Sequence, residues 1–258
     1  MIETEIISKT KPKLKDPICV IGLPGIGNIG RIAVGYAITQ LKAKKFADLY
    51  SPYFYPFVMI HNDQIHILRD EFFFYKGKKR DLIFLIGDSQ TYDPKGHYEI
   101  VGKILEFLES LGCKEVITVG GFSTGKVSKK PKVYGVVTNK KRIKELSKHG
   151  ISFEAGTKIG TIVGAAGLLS GFAEIRGIRG TVLLGETVGF PIITDPTAAE
   201  AVLLVLEKML GIDIDLAKLE EKVKAMQDFI KKLEQIQTQA AEQLTKTKPG
   251  KEDLKYIG

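Results

Sequence analysis

The chain has 258 residues, of which 44% are hydrophobic, and its formal net charge at pH 7 is +8. This apolar content is sufficient for a packed core and excludes global disorder. No run approaches the roughly 20 apolar residues that a membrane-spanning helix needs, and the polar N-terminus carries no apolar signal segment, so we expect no membrane partner. Two cysteines provide neither a disulfide framework nor a metal-binding cluster, which favours a cytoplasmic location.

Much of the positive charge lies in two stretches, residues 9–15 and 126–144. A basic chain can bind nucleic acid through such stretches. Neither stretch belongs to a recognisable DNA- or RNA-binding motif, so we expect no nucleic-acid partner.

The first strand and the first helix are joined by a glycine-rich loop. Residues 1–16 contain a Lys-Pro pair and little hydrophobic periodicity, which predicts a flexible N-terminal arm. The apolar residues 18–21 predict a strand, residues 22–30 read Gly-Leu-Pro-Gly-Ile-Gly-Asn-Ile-Gly, and residues 31–38 predict a helix. Strand, glycine loop and helix in this order are typical of the start of an α/β domain.

The glycine loop matches a dinucleotide-binding fingerprint, G-x-G-x-x-G, at Gly25, Gly27 and Gly30. In such a site an acidic residue about 20 positions later ends the second strand and holds the ribose. Asp48 lies at that distance, but its strand continues past it, and Pro24 removes one backbone donor from the loop. We therefore interpret the three glycines as structural residues that let the first helix pack close to the sheet. Ligand binding by the loop remains the alternative.

A block rich in aromatic residues follows. Residues 46–50 predict a second strand, and the alternation within 53–75 predicts a strand and a hairpin. Consecutive aromatics can form the wall of a ligand site. We interpret them here as filling both faces of a buried strand or of a strand at a subunit interface.

Several apolar runs predict the centre of a sheet. Residues 81–86 are apolar on both faces, as a central parallel strand should be, and residues 116–119 and 182–184 are similar. Helices are predicted at residues 96–111 and from the capping sequence Asp-Pro-Thr at 195–197 up to residue 210.

Repeated alternation of strands and helices predicts the fold class. We expect an α/β protein with a single core domain, residues 17–211. Its mostly parallel central sheet lies between two layers of helices, which makes a three-layer α/β/α sandwich.

The last fifth of the chain predicts one long helix, residues 212–245. Its apolar positions are spaced by three and four residues, which is the pattern of a heptad seam. The seam consists of Leu216, Leu219, Val223, Met226, Ile230 and Leu233. We favour a helix–helix contact, between subunits or against the preceding helix, over an amphipathic helix lying on its own sheet. Residues 246–258 predict a flexible C-terminal tail.

The polar residues at the predicted strand ends do not form a recognisable catalytic set. Asp88, Glu186 and Asp195 each follow a strand, where α/β proteins collect functional residues. Ser123 lacks the G-x-S-x-G elbow, and the four histidines have no partner at metal-ligand spacing. We therefore expect no catalytic residues, no metal and no cofactor. The alternative is a nucleotide- or nucleoside-binding enzyme that uses the loops around Gly25, Asp88 and Ser123.

Four short motifs follow predicted strands along the chain. They are the glycine loop at 22–30, Gly-Asp-Ser-Gln at 87–90, Gly-Gly-Phe at 120–122 and Gly-Glu-Thr at 185–187. As a set, in this order, they resemble the archaeal proteasome assembly chaperone family over about residues 14–210. The resemblance implies an α/β/α sandwich related in fold to purine nucleoside phosphorylases, without an established catalytic centre. It also implies a cyclic homo-oligomer and, for some members, action on the proteasome core particle through the C-terminus.

The same resemblance implies a role for the tail. The family's docking device is a terminal tripeptide of a hydrophobic residue, a tyrosine and any residue, which enters a pocket between subunits of the proteasome α-ring. The corresponding tail residues here are Leu254, Tyr256, Ile257 and Gly258, with the tyrosine third from the end instead of second. We expect either docking by this tail without gate opening or a tail folded back onto the oligomer.

These observations together predict a non-enzymatic homo-oligomer whose partner is a protein. The proteasome core particle is the partner that the resemblance implies. A scaffold for some other protein is the further alternative.

Overall fold

The computed structural model describes residues 3–91, 93–126, 128, 130–155, 160–189 and 194–221. In this part of the chain, strands and helices alternate. The strands are β1 Glu5–Ser8, β2 Ile18–Gly22, β3 Lys44–Tyr50, β4 Val58–His61, β5 Gln64–Ile67, β6 Asp70–Tyr75, β7 Leu82–Gly87, β8 Glu115–Ser123, β9 Val133–Val137, β10 Ile151–Ser152 and β11 Arg179–Thr187. The helices are α1 Ile29–Gln40, α2 Pro94–Ser110, α3 Ile143–Leu146, α4 Ala165–Ile175 and α5 Pro196–Leu210.

Nine of these strands form one sheet, and β4 and β5 form a separate two-stranded ribbon. The order in the large sheet is β1-β3-β6-β7-β2-β8-β11-β9-β10. Its centre is parallel, because β2 pairs with β7 and β8 and β8 pairs with β11 in the same direction. Antiparallel strands flank this centre, with β6 beside β7 on one side and β9 beside β11 on the other.

Helices cover both faces of the sheet. Alternate residues of β2 point to opposite faces, so Val20 packs in a core with α1 and α5, whereas Ile21 packs in a core with α2 and α4. α1 lies beside α5, and α2 lies beside α4. This arrangement confirms the predicted α/β/α sandwich.

The helix α5 begins at the cap that the sequence indicates, and α2 begins at Pro94, two residues before its predicted start. Asp195 accepts a hydrogen bond from the Ala198 amide at 2.9 Å, with Pro196 in the first turn, and α5 ends at Gly211 with φ 62°. Asp93 caps α2 in the same way through the Lys95 amide at 2.6 Å. A carboxylate cap, a proline in the first turn and a left-handed glycine after the last turn fix both ends of α5.

The N-terminal segment differs from the predicted flexible arm. Residues 5–8 form β1, which pairs antiparallel with β3 at the edge of the sheet. The Thr4 amide also donates to Glu99 of α2 at 2.8 Å. A short edge strand of mixed polarity carries little periodicity, so the sequence pattern alone did not indicate it.

No helix within the described residues has the length and apolarity that crossing a membrane requires.

Candidate functional site

The glycine loop connects β2 to α1 and brings the helix onto the sheet. A Cβ added at Gly30 would lie inside 3.0 Å of the Val119 carbonyl oxygen, and one added at Gly22 would lie inside 3.0 Å of the Gly30 carbonyl. Gly27 has φ +65°, which favours glycine. Gly30 is therefore required because there is no room for a side chain, and Gly27 is required because of its positive φ. Gly25 has room for a side chain, since an added Cβ would lie 3.8 Å from its nearest neighbour, the Gln90 side chain.

A dinucleotide arrangement is not formed around this loop. β2 pairs with β7 and β8, whereas β3, which carries Asp48, lies three positions away in the sheet. The Asp48 carboxylate contacts Lys45 Nζ at 2.6 Å and Arg69 Nε at 3.4 Å. In a dinucleotide site the acidic residue ends the strand next to the first one. Asp48 is therefore not placed to hold a ribose.

Asp88 follows β7 and ties three elements together. Its Oδ1 contacts Arg31 of α1 at 3.1 Å, its Oδ2 contacts His66 Nε2 of β5 at 2.6 Å, and the Arg69 amide donates to Oδ2 at 3.3 Å. Charge-assisted hydrogen bonds of this kind are stronger than neutral ones. The cluster anchors the β4–β5 ribbon to the body of the protein.

Asp70 lies beside this cluster without any partner among the described residues. Its side chain is buried, and neither carboxyl oxygen has a hydrogen bond there. Burial raises the pKa of Asp70 well above its usual value, and the negative charge of Asp88 raises it further. The folded protein therefore favours the protonated form of this carboxyl group.

Replacing Asp70 with asparagine is expected to raise the free energy of unfolding at neutral pH, on the order of 1 kcal/mol. A raised folded-state pKa contributes stability that is present below the unfolded value of about 4 and is lost as the pH rises through the folded value. Asparagine mimics the protonated form, so the gain should vanish below about pH 4 and grow above it. Urea unfolding between pH 3 and 8 measures this. Asp63→Asn in the exposed hairpin turn is the control, and an equal gain at every pH would contradict the assignment.

The β4–β5 ribbon exposes an apolar face. Its turn residues Asn62 and Asp63 have φ 47° and 58°, as a two-residue type I′ turn requires. Met59 pairs with His66, and His66 contacts Asp88, so this pair faces the body of the protein. The two pairs that alternate with it lie on the opposite side of the ribbon and define what we call the ribbon face: Val58 with Ile67 and Ile60 with Ile65.

The ribbon face is apolar and uncovered. Ile60 and Ile65 are 77% and 75% exposed, and Val58 and Ile67 are 49% and 56% exposed. Contiguous exposed apolar side chains of this kind are uncommon on monomeric proteins and mark interaction sites. The aromatic residues of the predicted block are divided: Phe72 of β6 is fully buried in the main sheet, whereas Tyr55 and Phe57, just before β4, are 49% and 56% exposed. The hairpin agrees with the one predicted within residues 53–75, and the Asn62-Asp63 pair between two alternating runs is the sequence signal that locates its turn.

The beginning of the predicted seam helix packs on its own chain. Residues 217–221 are helical, Leu219 is fully buried in the core formed by α1 and α5, and Leu216 packs against that core. The Tyr36 hydroxyl of α1 donates to the Asp215 carbonyl at 2.7 Å. The other seam residues, Val223, Met226, Ile230 and Leu233, and the tail residues, Leu254, Tyr256, Ile257 and Gly258, lie outside the described residues.

In the alternative hypothesis of an enzyme, the loops after the strands would bind the ligand. Two of their polar side chains make contacts within the protein instead. Asp88 is ion-paired, and the Ser123 hydroxyl donates to the Val188 carbonyl at 3.0 Å. Gly25 and Ser123 border a cavity of about 540 Å³ at the ends of β2 and β8. Within the described ranges, no group of three or more histidine, cysteine, aspartate or glutamate side chains is placed to hold a metal ion.

Comparison with known proteins gives a family match over most of the chain. Residues 19–234 match the model of the PAC2 family. The uncharacterized protein MJ1210 of Methanocaldococcus jannaschii is 37% identical over 246 residues, which are 95% of this chain and 93% of that protein.

Two solved structures from Pyrococcus furiosus share both fold and sequence with this chain. PbaB, an archaeal proteasome activator, has a TM-score of 0.86 and 39% identity, covering 91% of this chain and 100% of that chain. PbaA, an archaeal homolog of proteasome-assembly chaperone, has a TM-score of 0.74 and 26% identity, covering 95% and 97%.

Proposed function

The chain belongs to the PAC2 family, and on this premise we propose that it is a non-enzymatic homo-oligomer that binds the proteasome core particle through its C-terminal tail. The observation that carries the proposal is the likeness to PbaB, an archaeal proteasome activator, at 39% identity over 91% of this chain. Its place of action would be the cytoplasm, together with an archaeal proteasome.

Self-association is proposed to use the ribbon face. A two-stranded ribbon is marginally stable in water unless it packs against something. Here one side of the ribbon is held by the His66–Asp88 contact, and the other side presents four branched apolar residues to solvent. A second copy of the chain would remove that apolar surface from water. Repeating one such contact around a closed rotation gives a cyclic oligomer.

The C-terminal helix is proposed to extend from the body of each subunit. Leu219 anchors its first turn in the core beside α5. Beyond residue 221 the seam residues Val223, Met226, Ile230 and Leu233 continue the heptad spacing. We propose that they contact the corresponding helix of a neighbouring subunit, which would hold the tails on one side of the assembly.

The tail is proposed to dock on the α-ring of the core particle. Tyr256 supplies an aromatic anchor, and Leu254 and Ile257 supply apolar contacts, with Gly258 beside them. A single short tail binds weakly. Several tails on one cyclic oligomer raise the effective concentration of each at the ring, which strengthens binding without new contacts.

Deleting Tyr256, Ile257 and Gly258 is expected to weaken binding to the core particle at least about 30-fold, since an anchor worth about 2 kcal/mol is lost from each tail. Binding can be measured on immobilised archaeal core particles, with the full chain and the truncated chain at equal oligomer concentration. Lys251→Ala, in the same segment, is the control and should bind like the unaltered protein. Undiminished binding of the truncated chain would refute docking through the tail.

A scaffold for a non-proteasomal protein is the competing outcome of the same experiment. It would be supported if the full chain self-associates and yet does not bind core particles.

A further inference from the structure

The cavity of about 540 Å³ lies at a characteristic position in the sheet. After β2 the chain continues to α1 and the β3 side, whereas after β8 it continues to the β9 and β11 side. β2 and β8 are therefore the neighbouring strands from which the connections diverge. In open α/β sheets, ligands bind outside the carboxyl ends of the strands at this switch point.

Glycines bring backbone close together around this cavity. A Cβ at Gly121 of β8 would meet the Ile26 carbonyl oxygen at 2.5 Å, and one at Gly164 would meet the Gln90 side chain at 2.8 Å. The Gln90 amide also donates to the Pro24 carbonyl and accepts from the Ala165 amide. These contacts join the glycine loop to the start of α4. The cavity is thus bordered by loops that are fixed to one another.

Most of the cavity wall is apolar. Side chains from β2, the glycine loop, β8, β11 and the segment before α4 line it, including Ile21, Leu23, Val119, Phe122, Ile162 and Leu184. The volume falls within the range of roughly 300–1,000 Å³ that is usual for small-molecule sites. A wall of this composition fits an apolar or aromatic body.

His97 is the polar group in the wall that is best placed for a ligand. Its ring has no hydrogen bond to any described residue, whereas the Thr118 hydroxyl donates to the Ala166 carbonyl at 3.0 Å and the Thr91 hydroxyl donates to the Tyr53 carbonyl at 3.0 Å. Burial lowers the pKa of His97, so its ring is neutral at pH 7 and offers one donor and one acceptor. His97 also borders a void of about 10 Å³ that Asp70 lines.

The described lining residues include no charged side chain. The chain has 38 lysines and arginines, and a phosphate or carboxylate site would need such groups in its wall. Their absence from the described lining residues therefore argues against a site of that kind. An ion placed in an apolar wall without a counter-charge loses its hydration and gains little in return. The described part of the wall therefore disfavours nucleotides and other anions.

We propose that this cavity binds a small uncharged organic molecule with a flat apolar body and a hydrogen-bonding group that meets His97. The inference is independent of the proteasome proposal, because it rests on a different part of the molecule and on no partner protein.

The test uses matched probe pairs that differ in charge and share one ring system. Nicotinamide and nicotinate, indole-3-carboxamide and indole-3-carboxylate, and adenosine and adenosine monophosphate are titrated into the full chain by calorimetry and ligand-observed NMR. We expect a neutral probe of at least one pair to bind with one site per chain, at least about tenfold more tightly than its anionic partner. Preference for the anions, or no binding by any neutral probe at millimolar concentration, would overturn the proposal.

Two variants and one control variant locate the binding. Ala166→Phe places a ring in the cavity and should abolish binding, whereas Gly171→Phe introduces the same ring on the same helix at a position with no neighbour within 4 Å and should not. His97→Leu keeps the apolar wall and should weaken binding about fivefold through the lost hydrogen bond. If Ala166→Phe does not fold, His97→Leu and the chemical shifts of Gly120 and Gly121 decide the site. Binding unchanged in His97→Leu with unaltered shifts at these glycines would place the ligand elsewhere.

Discussion

Replacing Ile60 and Ile65 with lysine is expected to abolish the self-association that we propose and to leave monomers. The two residues form a direct cross-strand pair in the centre of the ribbon face, and they are 77% and 75% exposed. Burying an isoleucine contributes about 1.5–3 kcal/mol, and a lysine at the same place must be desolvated. With both positions changed in every copy, self-association should weaken at least about 100-fold.

Because Ile60 and Ile65 are exposed, replacing them should leave the fold of each subunit intact. Neither isoleucine belongs to the cores that hold the sheet and its helices together. Sedimentation velocity at micromolar concentration measures the mass, and circular dichroism with urea unfolding checks the fold. Ile175→Lys is the control, because Ile175 is 79% exposed on α4, away from the ribbon. A double variant that keeps the wild-type mass would rule out the ribbon face as the contact.

Replacing Gly30 with alanine is expected to lower the free energy of unfolding by about 2 kcal/mol or more. The added Cβ would lie inside 3.0 Å of the Val119 carbonyl oxygen and at 3.2 Å from Gly22 Cα. Both neighbours are backbone, so α1 must move away from the sheet. The shift would also loosen the packing of α1 against α5.

Gly35 in the same helix provides a matched control, for which we expect the free energy of unfolding to change in the opposite direction. A Cβ at Gly35 would have no neighbour within 4 Å. Gly35→Ala should therefore stabilise the protein by about 0.5–1 kcal/mol, because alanine loses less backbone entropy in a helix than glycine does. Urea unfolding of both variants gives the two values. A Gly30→Ala protein as stable as the wild type would show that the close approach of α1 is not required.

The local pattern of the chain predicted the centre of the fold well. The strands β2 and β7 are continuous apolar runs, β8 is mostly apolar from Val116 to Val119, and α5 carries its own start and stop signals at Asp195, Pro196 and Gly211. Such signals act within a few residues. The fold class then follows, since alternating strands and helices have few compact arrangements.

Features that depend on contacts between residues far apart in the chain could not be predicted from local sequence signals. β1 joins the sheet by pairing with β3, about 40 residues later in the chain, and its own residues do not alternate clearly. The glycine loop matched a dinucleotide fingerprint, yet the position of β3 relative to β2 decides against that use. The cavity is formed by loops that follow several strands, so no single stretch of sequence could indicate it.

The measurement that tests the proposed function most directly is the co-sedimentation of the intact chain with archaeal proteasome core particles. The account predicts that the protein sediments alone as a cyclic oligomer at micromolar concentration and that it shifts with the core particle at a ratio of one oligomer per α-ring. It also predicts that the Ile60→Lys, Ile65→Lys variant sediments as a monomer and shifts far less, because its tails no longer act together. An intact chain that sediments as a monomer, or an oligomer that never shifts with core particles, would contradict the account.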